Sequence, residues 1–152
     1  MSGIKLLTCE IMFEFAKHCR ASRLVKLGSE FDLLMAIREK PLQKRNAIAI
    51  AKKFKFTDVQ LVSVIGMPLK SYTRMKPSSL LSVGASERII KLAELYGIGV
   101  MTFDGDAKSF VRWLNTTIPA LMNHIPFELM TTFVGISLIR EELLRMEYGV
   151  VQ

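Results

Sequence analysis

Two sets of side chains in this sequence have the types and spacing to engage a charged partner. The first is Lys70, Thr73, Arg74 and Lys76, gathered in one short segment behind Leu69. Arginine and lysine reach guanine edges or phosphates, and threonine can touch a thymine methyl. A helix carrying this set into a major groove would therefore read DNA. Pro68 and Leu69 bring no hydrogen-bonding group to a base edge, so a purely structural remnant of such a motif is the alternative. The second set closes the sequence: Arg140, Arg145, Glu147, Tyr148, Gly149 and Val150. Tyr148 offers a flat ring with a polar tip, and Glu147 and the carboxylate of Gln152 can meet cations through charge-assisted hydrogen bonds. The alternative for Tyr148 is a helix-end contact with its own domain. For the two arginines it is pairing with Glu141 or Glu142 in solvent.

No catalytic constellation accompanies these sets. His18 and His124 stand in no metal-ligand spacing, and Cys9 and Cys19 form no CxxC pair, so neither a zinc site nor a disulfide framework is indicated. No nucleophile motif or glycine-rich phosphate loop occurs. Gly97-Ile98-Gly99 lacks a third glycine and a surrounding strand-turn-helix unit, so it reads as a helix end. Asp104 and Asp106 read as a turn followed by a helix cap rather than as cation ligands. Trp113, with Phe110 and Leu114 at helical spacing, reads as core. The expectation is a protein without enzymatic activity, cofactor or metal.

The chain of 152 residues is half apolar, enough for one domain or two small ones with a buried core. Residues 1–80 carry a formal charge of +9 and residues 81–152 one of −2, within a total of +7. The basic half suggests a polyanionic partner and the other half does not. Charged residues interrupt the first apolar stretch, so no signal peptide is expected. No run of about eighteen uncharged apolar residues occurs, so no membrane span is expected. Two unpaired cysteines suit a reducing, cytoplasmic setting.

The elements that would position the two sets are all helices. Leu7, Ile11 and Phe15 recur at helical spacing up to Gly28, giving an amphipathic N-terminal helix suited to packing on the chain or on a second copy. Ser29 with Asp32 starts another through Leu33, Leu34 and Ile37, ending near Pro41. A third runs from about Leu42 to Phe54, with Lys44, Arg45, Lys52 and Lys53 as a solvated face. Thr57-Asp58-Val59-Gln60 is a capping box. Gly66 then allows a tight turn between two short helices locked by Leu61, Ile65, Met67, Tyr72 and Met75, the pattern of a helix-turn-helix. Lys76-Pro77-Ser78-Ser79 reads as a linker, and Ser82 caps a helix carrying Ile89, Leu92, Ala93 and Tyr96. Asp106 caps the helix of Phe110 and Trp113. Pro126 opens a last helix towards Met146, with Phe127, Met130, Val134, Leu138 and Glu141 on one side and Gly149 past its end.

Phe103-Asp104-Gly105, Trp113-Leu114, Pro119-Ala120-Leu121, Pro126, Gly135 and Glu147-Tyr148-Gly149-Val150 stand in an order that resembles the C-terminal toxin-binding domain of the Xre/MbcA/ParS antitoxins. Leu81-Ser82, Ser86-Glu87-Arg88 and Leu92-Ala93 extend the resemblance back to about Leu33. The sequence departs from the pattern at Asn123-His124, where members tend to carry glycines. The resemblance implies a cytoplasmic bacterial antitoxin that neutralises a cognate RES-domain toxin, an enzyme that consumes NAD, and that represses its own operon. It implies that Glu147, Tyr148, Gly149 and Val150 cover or enter the toxin's NAD site; Arg140 and Arg145, about a helical turn and a half apart, could then flank the tail and pair with acids on the toxin.

The expected architecture is all-α. It comprises an N-terminal helical extension over 1–32, a helix-turn-helix region over 33–100 and a compact helical toxin-binding domain over 101–152. A helix-turn-helix gains affinity by presenting two recognition helices to half-sites one helical turn apart, so operator DNA and a second copy are the further expected partners. A stand-alone regulator answering to a small ligand is the main alternative, and a scaffold with a vestigial helix-turn-helix is the other.

Overall fold

A computed structural model of the protein describes residues 30–149. The expected helix of Leu7, Ile11 and Phe15, the cap at Ser29, and Val150 through Gln152 lie outside the described residues. Those described are mostly helical, with no strand among them. They divide into two compact units, with the boundary between Glu94 and Leu95.

The first unit contains α1 (Glu30–Glu39), α2 (Lys44–Phe54), α3 (Asp58–Ile65), α4 (Leu69–Arg74) and the first part of α5 (Val83–Thr102). α2 ends at Lys55 in the left-handed conformation (φ 57°), whose N–H returns to the carbonyls of Ala51 and Lys52. The Thr57 box then starts α3. Gln60 N–H donates to Thr57 Oγ1 at 3.3 Å, and Thr57 N–H donates to Gln60 Oε1 at 2.9 Å, so two otherwise unpaired donors are satisfied reciprocally. Gly66 ends α3 at φ 70°, a backbone region that side chains disfavour. Ala47, Ile50, Phe54, Leu61, Ile65 and Tyr72 are buried.

The Lys76–Ser79 segment is not a loose linker. Arg45 N–H donates to the Pro77 carbonyl and Lys44 N–H to that of Ser79, both at 2.9 Å, while Leu81 N–H donates to the Leu42 carbonyl at 2.8 Å. The first turn of α2 has backbone donors without helical partners, and the carbonyls of this segment supply them. Leu42 N–H is satisfied by Ser86 Oγ at 3.0 Å; that fully buried hydroxyl donates in turn to the Ser82 carbonyl at 2.9 Å. Ser82 Oγ accepts from Ala85 N–H at 3.1 Å as α5 begins.

The expected helix end at Gly97-Ile98-Gly99 is also corrected, since α5 continues through it to Thr102. A Cβ on Gly99 would stand 2.2 Å from the Phe110 ring, so this glycine exists for close packing rather than for a stop.

The second unit adds α6 (Ala107–Leu114), a 3-10 turn (Pro119–Leu121), α7 (Pro126–Leu129) and α8 (Phe133–Tyr148). Asp104 (φ 52°) and Gly105 (φ 86°) make the turn, and Asp106 caps α6 by accepting from Lys108 N–H at 2.9 Å and Ser109 N–H at 3.2 Å. Phe110 is fully buried, with Tyr96 edge-on at 6.0 Å and Phe103 at 6.1 Å between ring centres. Trp113 is half-buried, its ring 6.1 Å from that of Phe103.

One helix was expected from Pro126 to Met146, and the structure has two. α7 stops at Leu129, and Thr132 caps α8 by accepting from Gly135 N–H at 3.0 Å. The Leu129 carbonyl oxygen lies 1.8 Å from where a Gly135 Cβ would be, so the reversal between α7 and α8 closes against a bare Cα. The break rotates the expected face. Met130 is buried, but Val134, Leu138 and Glu141 face solvent, and α8 buries Gly135, Ile136, Ile139, Glu142 and Leu143 instead.

Candidate functional site

In the first unit the basic set rides on α4 and the residues just past it. Leu69, Lys70, Thr73, Arg74 and Lys76 are exposed, and Tyr72, on the opposite side of this short helix, is buried. What holds α4 is Lys44. Its Nζ donates to the Tyr72 carbonyl at 2.8 Å and the Met75 carbonyl at 3.0 Å, and lies 4.4 Å from the centre of the Tyr72 ring. A cation at the carbonyls that end a helix is favourable for both charge and hydrogen bonding, and the ring adds a cation–π contact. Lys44 is therefore half-buried in the unit, not part of a solvated lysine face. Burial pushes the Tyr72 hydroxyl above its ordinary pKa, and the Asp58 carboxylate adds to the effect. The Gly66 turn has a comparable brace. Arg88 donates from Nη1 to the Val64 carbonyl at 2.9 Å, and its guanidinium stands 3.7 Å from the position of a Gly66 Cβ. Neither brace carries a local sequence signal, because each partner is more than twenty residues away.

In the second unit α8 carries the other set. Tyr148, Glu147 and Gly149 are exposed; Gly149 closes the helix at φ 63°, its N–H returning to the Arg145 carbonyl. Tyr148 is 59% exposed, which is not the burial of a ring packed back on its own domain. Arg140 is exposed and Arg145 is engaged at home, with Nη2 3.3 Å from Glu142 Oε2. Glu142 is buried and that oxygen makes no aligned hydrogen bond, so the contact is one of charge. Arg140 and Arg145 stand about 140° apart around a helix of 3.6 residues per turn, so they do not share a face. Arg145 and Tyr148 instead share a stripe with Val134, Leu138 and Glu141, spaced alternately four and three residues apart. The sequence pattern put Val134 and Leu138 on one side of the helix together with Met130; Met130 is buried, whereas Val134 and Leu138 are exposed on this stripe.

His124 is exposed, and its carbonyl accepts from Ile118 N–H at 3.1 Å, a turn contact. Among the described residues no group of His, Cys, Asp and Glu is placed to hold a metal ion. No helix among them is long and apolar enough to cross a membrane.

No curated protein matches the chain. The part of the molecule that holds Gly99 against Phe110, the Asp106 cap, the α7–α8 reversal and the outer stripe of α8 does find a counterpart. Residues 99–149 match the family described as the antitoxin Xre/MbcA/ParS C-terminal toxin-binding domain, so in its second unit this chain is similar to the domain by which those antitoxins bind their toxins.

Proposed function

We propose that this protein is the antitoxin of a type II toxin-antitoxin system that neutralises a RES-type, NAD-consuming toxin by protein contact and binds operator DNA to regulate its own transcription. The observation that carries the reading is the match of residues 99–149 to a toxin-binding domain. The exposed stripe of Val134, Leu138 and Tyr148 on α8 supports it, because apolar side chains left in water along one helix face suit a partner that removes them from it. The proposed toxin contacts are Arg140, Glu147, Tyr148 and Gly149, with Arg145 on the same stripe as Tyr148 and Val150 following. Tyr148 supplies the ring and Glu147 the anion for a cleft built to hold an anionic dinucleotide, which would contain basic groups and an apolar wall.

DNA binding is assigned to Lys70, Thr73, Arg74 and Lys76. Their exposure on a helix fixed by Lys44 and by buried Tyr72, in the basic half of the chain, supports this assignment. The protein acts in the cytoplasm as a homodimer, without catalysis of its own. The test is to purify the protein encoded by the neighbouring reading frame and follow binding and NAD consumption as this protein is added. Tight binding with loss of NAD consumption is expected from the parent, and weaker inhibition from Tyr148→Ala. A neighbouring protein that neither binds nor consumes NAD would overturn the reading.

A further inference from the structure

We propose that the turn at Met122 is a specificity anchor, placing one methionine side chain in an apolar pocket of the toxin. This rests on the antitoxin reading and names a contact within it. The turn is tightly tied: Met122 N–H donates to the Pro119 carbonyl at 3.0 Å, Asn123 N–H to that of Ile118 at 3.1 Å, and His124 N–H to that of Leu121 at 3.0 Å. Leu121 is buried and fixes the turn to the unit, and the turn packs against α8. This geometry puts two successive residues in the left-handed region, Met122 at φ 53° and Asn123 at φ 59°.

Asparagine tolerates that conformation and glycine adopts it freely, but an unbranched apolar side chain gains nothing there. Met122 is nevertheless 86% exposed, more than any other large hydrophobic residue among those described. Neither the backbone nor the core of the unit accounts for a methionine at this position. A partner with a pocket does, because a held backbone presents the side chain in one place while the flexible thioether adapts to the pocket wall. The occupant is the toxin rather than a second copy. Met122 lies within the residues matching a toxin-binding domain, on a turn packed against the helix that exposes Val134 and Leu138.

The test measures toxin affinity by titration calorimetry, with the protein encoded beside this one as the probe, for the parent, Met122→Gly, Met122→Asn and Met122→Leu. Melting temperature and sedimentation are followed in parallel. The glycine and asparagine variants should fold with an equal or higher melting temperature yet bind the toxin about ten- to a hundredfold more weakly, and the leucine variant should keep most of the affinity. A merely structural residue would lose stability and affinity together, which overturns the anchor. Glycine and asparagine variants that bind as tightly as the parent also overturn it, as does a change confined to self-association. If the parent itself fails to bind, the antitoxin reading falls first and the anchor falls with it.

Discussion

Gly135 is the residue on which the second unit depends most directly. The Leu129 carbonyl oxygen occupies the space of its missing Cβ at 1.8 Å and the carbonyl carbon lies at 2.6 Å, so the obstacle is backbone and cannot rotate away. Alanine would gain up to about 1 kcal/mol of helix propensity, which is smaller than the cost of separating α7 from α8. Gly135→Ala should destabilise the protein by roughly 2–4 kcal/mol, measured by denaturant unfolding. A change within about 0.5 kcal/mol, the ordinary range for surface positions, would contradict the close approach. Asp106 offers a test by pH. The Ser109 hydroxyl, 2.6 Å from Oδ2, together with the Ser109 and Lys108 amides and the Arg112 charge, holds its carboxyl below the usual carboxylate range. A carboxyl depressed in the folded state contributes stability that is complete above its unfolded pKa of about 4 and is lost as pH falls through the lower folded value. Thermal melts below about pH 4 should therefore show the parent losing more stability than Asp106→Ser, whose neutral cap does not titrate.

At the scale of elements, the helix starts with chemical signatures were legible in the sequence. Thr57 with Gln60, Ser82, and Asp106 each cap the helix that their type and position indicated, because a cap is a contact within three residues. The misread features depend on distant groups. Gly99 resembles a helix stop until Phe110 packs on it, and the Pro126 helix reads as continuous until Leu129 meets Gly135. Lys44 reads as solvated until α4 is folded beneath it. Lys44→Met should preserve the stem but remove the ammonium, costing about 1–3 kcal/mol and accelerating hydrogen exchange in α4 ahead of the rest of the first unit. The α4 surface gives a separate prediction. Lys70→Ala combined with Arg74→Ala should abolish preference for the operator. Arg74→Ala alone should cost about 1–3 kcal/mol, and Lys76→Ala should chiefly flatten the salt dependence, all measured by fluorescence anisotropy. Unchanged operator affinity in the double variant would leave the helix-turn-helix a structural element only.

Across the whole molecule, chemistry divides as charge does. Net positive charge lies in residues 1–80, where α4 offers its basic set, and residues 81–152 are slightly acidic and contain the match to a toxin-binding domain. The likeness of the second unit to that domain was legible in part because landmarks such as Gly135, which packs against the Leu129 carbonyl, and Gly149, which closes α8 in the left-handed region, are constrained by close packing and turns that few residues satisfy. Its outer surface was less legible. Exposure of Val134, Leu138 and Met122 depends on where α8 begins and how the 122–123 turn bends, neither of which periodicity records. The most direct test of the central claim is the NAD consumption of the neighbouring reading frame's protein, titrated with this one. The account predicts that consumption falls to background near a fixed stoichiometric ratio and is restored in part by Tyr148→Ala or by removal of residues 147–152. A stable complex that consumes NAD at the free enzyme's rate would contradict it.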